Sequence, residues 1–182
     1  MHLMKSNLLL VFLMLCFASC STSQARRPIN PKPSTRIFQD NIATTKKLFQ
    51  LEEASILNYL KRDSLKVYKT APSGFWYAYV DKVEEELATP KLGDIATFSY
   101  DIRGLNDSIL YSKESLGVKR YKVDKEDFIS GIQKGIKLMK VGETIIFVIP
   151  SYNAFGISGD GNKIGLNKTI KSKVTLLNIK SN

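Results

Sequence analysis

The sequence predicts an α+β domain: an antiparallel sheet wrapped on one short helix and preceded by an N-terminal amphipathic helix. Three patterns carry this reading. Apolar residues recur at three- and four-residue steps between Ser34 and Arg62. Short alternating or continuous apolar runs follow from Val67 to the C-terminus. A single helical stripe, Ile129, Ile132, Ile136 and Met139, sits among those runs. A period near 3.6 marks helix and a period of 2 marks strand, and strands gathered around one helix give α+β.

The chain opens as a secretory leader. Lys5 supplies the positive start, Leu8 to Leu15 the apolar stretch, and Ala18-Ser19 the small residues before Cys20. The stretch is shorter than the roughly 20 apolar residues a bilayer span needs. Cys20 after two small residues resembles the bacterial lipobox, although Phe17 stands where that motif usually has Leu. Cys16 is the rival acceptor, but Leu15 before it is not small. The favoured reading is a leader over residues 1–19 and a lipid-carrying Cys20. An ordinary cleaved leader with an incidental cysteine is the alternative. The residues after Cys20 include Arg26 and Arg27 and no acid, which points to the periplasmic face of the outer membrane.

Residues 20–33 hold Pro28, Pro31 and Pro33 without an apolar period and read as an extended tether. Residues 34–66 form the helical segment, with Ser34 as its expected N-cap. Ile37, Phe38, Ile42, Leu48, Phe49, Ile56, Leu57 and Leu60 line its apolar stripe, with a break expected near Gln50. Such a stripe packs on its own domain or on a second copy, which makes a homodimer one possible outcome.

Residues 67–182 form the remaining domain. Phe75 to Val80 is rich in aromatic and β-branched residues and reads as a strand. Ala96, Phe98, Tyr100 and Ile102 alternate with polar residues, as in a half-buried antiparallel strand. Asn106-Asp107-Ser108 marks a turn before Ile109-Leu110-Tyr111, and Tyr121 to Val123 is a weaker strand. Ser130 and Gln133 have capping-box spacing, so a short helix is expected from Ser130. Thr144 to Ile149 is a continuous run suited to a strand buried on both faces. Glycine-rich residues 156–168 form a loop, and Lys173 to Ile179 a closing strand.

The 27 basic and 17 acidic residues suggest an anionic neighbour. Beyond a secretory leader that neighbour is a phospholipid surface rather than nucleic acid. Scattered lysines serving solubility explain the balance of the domain equally well. The one histidine, His2, lies in the leader, which excludes Ser-His-Asp and Cys-His chemistry in the mature chain. Cys20 is then the single mature cysteine, so no disulfide is expected. No cofactor and no metal is implied.

Four ordered segments carry a family resemblance. Leu92-Gly93-Asp94 precedes the strand ending Ser99-Tyr100. Asp127-Phe128-Ile129-Ser130-Gly131-Ile132, then Gly135, then Met139 to Glu143 follow. Ile149-Pro150-Ser151-Tyr152-Asn153-Ala154-Phe155-Gly156 comes next, and Val174 to Ile179 ends the series. Together they resemble FKBP-type peptidyl-prolyl cis-trans isomerases over roughly residues 70–182. The helical segment, the lipobox and Gly74-Phe75-Trp76-Tyr77 resemble a narrower group, the gliding-motility-associated lipoproteins of Bacteroidota.

The resemblance implies an FKBP-like fold, no cofactor, and X-Pro segments of secreted or envelope proteins as substrates. It implies Tyr100 and Phe155 as the catalytic aromatic residues and Tyr111, Phe128, Ile129 and Ile132 as substrate-binding residues. Ile129 corresponds to the residue whose backbone N–H grips the ligand. Several positions depart from the family. Ile132 replaces a floor Trp, Ser172 a wall Phe, Ser112 an Asp, and Phe155 the Tyr of A-Y-G. Ile164-Gly165-Leu166 stands for a Pro-Pro pair. These changes imply a shallower cup and leave a non-catalytic chaperone or assembly module as the alternative on the same fold.

Overall fold

The computed structural model describes the backbone of residues 34–181 and the side chains of residues 39–181. The leader, Cys20 and the tether lie outside these described residues, as does the Ser34 side chain on which the expected cap rests. The chain divides between Ile42 and Ala43, and every contact below lies within Ala43–Asn182.

Helix α1 runs Ser34–Arg62 without interruption. The expected break near Gln50 is absent because no glycine or proline occurs in the span. Lys61 and Arg62 occupy its last turn, where cations complement the exposed carbonyls. Eight strands follow: β1 (Lys69–Ala71), β2 (Phe75–Asp81), β3 (Ile95–Tyr100), β4 (Ile102–Arg103), β5 (Ile109–Tyr111), β6 (Val118–Lys122), β7 (Thr144–Ile149) and β8 (Ile170–Lys180). A one-turn helix α2 (Lys113–Leu116) leads into β6, and α3 (Ser130–Ile136) lies between β6 and β7. The sheet order is β1-β2-β7-β8-β3-β6, with β4 pairing β5 and β8, and every pair is antiparallel.

Several boundaries differ from the sequence reading. β8 begins at Ile170, three residues early, because Ile170 and Lys171 extend its ladder to β7. β6 occupies Val118–Lys122 rather than starting at Tyr121. Helix α3 starts at Ser130 as expected, but no capping box forms there. Ile129 is the cap and makes no side-chain cap bond, while the Gln133 amide donates to the Glu126 carbonyl at 3.2 Å. Helix α2 was not foreseen. Its cap is Ser112, whose Oγ accepts the Ser115 N–H at 3.2 Å.

One core fills the space between the sheet and α3, with Phe75, Phe98, Tyr121, Ile132, Ile145, Phe147 and Leu176 fully buried. Gly131 and Gly135 let α3 lie flush on β7. A Cβ at either would come within 2.5 Å of Ile149 or Phe147 side-chain atoms. A second cluster sits on the opposite face of the sheet: Ile56 and Tyr59 of α1 bury Val148, with Leu60, Tyr68, Trp76 and Leu105 around them. Elsewhere in the predicted stripe, among the side chains described, burial is lacking. Ile42, Leu48, Phe49 and Leu57 stay exposed, although Phe49 meets the Tyr152 ring edge-on at 5.6 Å.

Polar contacts secure the end of α1. Lys171 is buried, its Nζ lies 2.8 Å from the Tyr59 hydroxyl and over that ring, and it pairs with Asp107. Burial pushes the Lys171 pKa down, but Asp107 and Tyr59 outweigh it and the net shift is upward. Tyr59 and Tyr68 both donate to Asp63, and burial together with these two neighbours pushes the Tyr68 phenol up. Truncating the central apolar contact of this seat, Ile56→Ala, should cost about 2–4 kcal/mol in urea unfolding, the range for a buried aliphatic-to-Ala change. A loss under about 0.5 kcal/mol would show that α1 does not stabilise the sheet.

Candidate active site

Strand β3 places Ala96, Phe98 and Tyr100 on the core face through its two-residue period. The chain leaving β6 then reverses before α3 and lays Phe128 against them. The Phe128 ring meets Tyr100 edge-on at 5.4 Å and Phe98 at 5.8 Å, and tilts over Tyr121 at 6.2 Å. Lys119 Nζ lies 5.5 Å from its centroid. Tyr100 is 7% exposed, and burial pushes its phenol pKa up.

Ile129 is the turning point. Its φ of −58° and ψ of 114° are not helical, and its carbonyl accepts the Gln133 N–H at 2.9 Å. Its own N–H has no hydrogen-bond acceptor among the described residues. Ile132 lies one turn further on and is fully buried, so the floor position is closed by packing. Ser172, where the resemblance implies an aromatic wall, is also fully buried, and its Oγ donates to the Asp101 carbonyl at 2.7 Å. Ser112 serves as the cap of α2.

Tyr111 and Phe155 are half-buried and pack against the same core. Phe155 follows a 3-10 turn, Ser151–Asn153, which is tied to the β1–β2 turn. Asn153 Nδ2 donates to the Ser73 carbonyl at 2.9 Å and the Gly74 carbonyl at 3.0 Å. Beyond Phe155 the loop closes on itself, Asn167 N–H donating to the Gly156 carbonyl at 2.9 Å. Gly159, at φ 67°, is required there, since a Cβ would sit 2.2 Å from the Ile164 carbonyl oxygen.

Asp160 organises the tip of this loop. Its Oδ1 accepts the Asn162 and Ile164 N–H groups at 2.9 and 2.8 Å, and its Oδ2 accepts the Tyr111 hydroxyl. Lys163 Nζ lies 5.0 Å from the Tyr111 centroid. The Tyr111 bond holds the Asp160 pKa below the usual carboxylate range, and the same bond pushes the Tyr111 phenol up. The stems of the loop meet Glu52 of α1. Its carboxylate accepts the Ser151 N–H at 2.6 Å, the Ser151 hydroxyl at 2.9 Å and the Thr169 hydroxyl at 2.5 Å.

The structure thus pairs Tyr100 with Phe128 next to Ile129 at the start of α3, buries Ile132 one turn further on, and packs Tyr111 of β5 and Phe155 of the rim against the same core. Asp160 and Glu52 were not singled out from the sequence. Asp160 had a signal, an acid within Gly159-Asp160-Gly161, which is turn chemistry. Glu52 had none, because its partners lie 99 and 117 residues away.

The filled floor decides what Ile132→Trp would do. An indole inserted into packed core should lower stability by about 1–3 kcal/mol in denaturant unfolding. A variant as stable as the wild type would show that the aromatic cluster swings aside and leaves a floor open to a ligand.

Comparison with known proteins bears on the family and the fold. The sequence model of the FKBP-type peptidyl-prolyl cis-trans isomerase family matches residues 87–177, half of the chain. A probable FKBP-type isomerase, FkpA of Neisseria meningitidis serogroup B, is 31% identical over 122 residues. That match covers 66% of this chain and 44% of the relative, so the chain spans less than half of that protein's length. The crystal structure of FkpA from Escherichia coli superposes with a TM-score of 0.57 at 21% identity, covering 96% of this chain and 82% of that one. A peptidyl-prolyl cis-trans isomerase from Pseudomonas syringae pv. tomato gives 0.59 at 19% identity, covering 75% and 96%. These two likenesses concern the fold. With the family model spanning β3 to β8, the chain belongs to the FKBP-type peptidyl-prolyl cis-trans isomerase family.

Proposed function

We propose that this protein is a peptidyl-prolyl cis-trans isomerase of the cell envelope, acting on X-Pro segments of secreted and envelope proteins. The observation that carries the reading is the Tyr100–Phe128 aromatic pair beside an Ile129 N–H without an acceptor among the described residues. Rotation about an X-Pro bond is opposed by amide resonance, a barrier of roughly 18–20 kcal/mol for a peptide bond. The planar amide carries charge separation that the twisted amide lacks. An apolar aromatic surface therefore favours the twisted form relative to water. An N–H donor to the substrate carbonyl fixes its orientation. No nucleophile, proton transfer or metal is needed.

The finer assignments rest on sequence. Lipid anchoring at Cys20 and the periplasmic face of the outer membrane are supported by Ala18-Ser19-Cys20 and the basic residues after it. A role in gliding motility is supported only by the likeness of that leader, the helical segment and the Gly74–Tyr77 lead-in. A homodimer through α1 is supported by the exposed Leu48, Phe49 and Leu57.

A second reading, a non-catalytic chaperone or assembly module, is favoured by a different feature. A groove of about 640 Å³ lies between α1 and the rim loop, lined by Leu48, Phe49, Leu51, Leu110, Ile157 and Ile164. Exposed apolar surface of that kind marks binding sites for polypeptide.

Exchange NMR on an Ala-Pro tetrapeptide separates the readings. The isomerase should accelerate cis-trans exchange, and Tyr100→Ala and Phe128→Ala should each lower kcat/KM by roughly tenfold or more, about 1.4 kcal/mol. A folded wild type that leaves exchange unchanged yet binds an unfolded, proline-free polypeptide establishes the second reading. Anchoring is tested separately. Intact mass of the protein from membranes should show acylated Cys20 as the N-terminus, and a free Cys20 thiol there would refute the anchor.

A further inference from the structure

We infer that Glu52, on the N-terminal helix, is a positioning residue for the rim of the isomerase site; this rests on the isomerase reading above. The rim is the segment from Ser151 to Thr169. It carries Phe155 near its start and Asp160 at its tip. Its two stems converge on one carboxylate, which accepts two bonds from Ser151 and one from Thr169. Its tip is held separately by the hydroxyl of Tyr111. The rim is thus pinned at three points, and two of them belong to α1.

The chemistry of this clamp is specific to a carboxylate. Ser151 is buried and presents two donors in one direction, the N–H and the hydroxyl. Thr169 adds a third from the other stem. A carboxylate is acceptor-only and has lone pairs enough for all three, whereas an amide would turn a donor toward a hydroxyl. Bonds to an ionised acceptor are roughly twice as strong as neutral ones. Removing it leaves buried donors without a partner, the costly case.

Glu52 is not what seats α1. Ile56 and Tyr59 do that, on Val148, one and two turns further along the helix. Loss of the carboxylate therefore frees the stems while the helix stays in place. The rim then spends less time in the conformation that presents Phe155 to substrate. Apparent affinity falls in proportion to the competent fraction, while the cup, once formed, is the same cup. The signature is a rise in KM with kcat held.

The test compares Glu52→Ala with wild type and with Glu53→Ala, an exposed neighbour outside the clamp, using the full chain. Hydrogen exchange should speed roughly tenfold or more at Gly156–Asn167 amides in Glu52→Ala and stay unchanged in β7 and β8. KM for the tetrapeptide should rise roughly tenfold with kcat within about twofold. Glu52→Gln should fall between the two, since its amide oxygen still serves the Ser151 N–H. Unchanged rim exchange in Glu52→Ala overturns the inference. Faster rim exchange with unchanged KM overturns it too, because the rim would then be irrelevant to the site. Where Glu52→Ala does not fold, Thr169→Val, which removes one of the three bonds, is read by the same two outcomes. A wild type without catalysis sinks the isomerase reading instead, and rim exchange still decides whether Glu52 holds the loop.

Discussion

Phe147 and Val148 are neighbours on strand β7, point to opposite sides of it, and have no solvent exposure. That requirement for two dry faces organises the molecule. One side is met by α3, whose Gly131 and Gly135 admit the close approach that Ile149 and Phe147 demand. The other side is met by Ile56 and Tyr59 of α1, with Tyr68, Trp76 and Leu105 packed around them. Burying one Val or Ile side chain is worth about 1.5–3 kcal/mol, a large share of a typical domain's net stability. The N-terminal helix is thus part of the sheet's core.

This explains which features were legible in the sequence. A continuous apolar run from Thr144 to Ile149, without polar alternation, announced a strand covered on both faces. The i, i+3, i+7 stripe of α3 announced a helix against it. Both are local periods. The S-x-x-Q pattern misled about how α3 begins, because the chain reverses at Ile129 and Gln133 reaches back to Glu126. The stripe of α1 leaves packing on the domain or on a second copy open, and the sheet takes up only the turns that carry Ile56 and Tyr59. One turn of helix at Lys113–Leu116 is too short to leave a period at all.

The candidate site divides along the same line. Tyr100, Phe128 and Ile129 were legible because each sits in a segment whose order and spacing are themselves informative. How open the cup is was not legible. Ile132 reads as a smaller floor, which suggests a shallower pocket, yet the residue is fully buried within the core. Phe98, Tyr100 and Tyr121 all contact Phe128, the first two edge-on, and aromatic pairs of that geometry contribute about 0.5–1.5 kcal/mol each. Likewise Ser172, where the resemblance implies a wall aromatic, is fully buried. The serine hydroxyl bridges to Asp101, so the position changes from an apolar wall to a staple between β8 and the β3–β4 junction.

The bonds that brace the rim span 49 to 117 residues, and none follows from periodicity or turn chemistry. Their placement has a consequence for how the two regions of the chain relate. Val148 and Ser151 are three residues apart. The first is covered by Ile56 and the second is gripped by Glu52, one turn earlier on the same helix. Any displacement of α1 therefore acts on the core and on the rim together. The apolar seat is non-directional and tolerates small shifts, whereas hydrogen bonds weaken steeply with misalignment. A small movement of the helix would leave the fold intact while releasing the stems of the loop. The helix thus has leverage over the site that its distance in sequence conceals, and the carboxylate of Glu52 is where that leverage is applied.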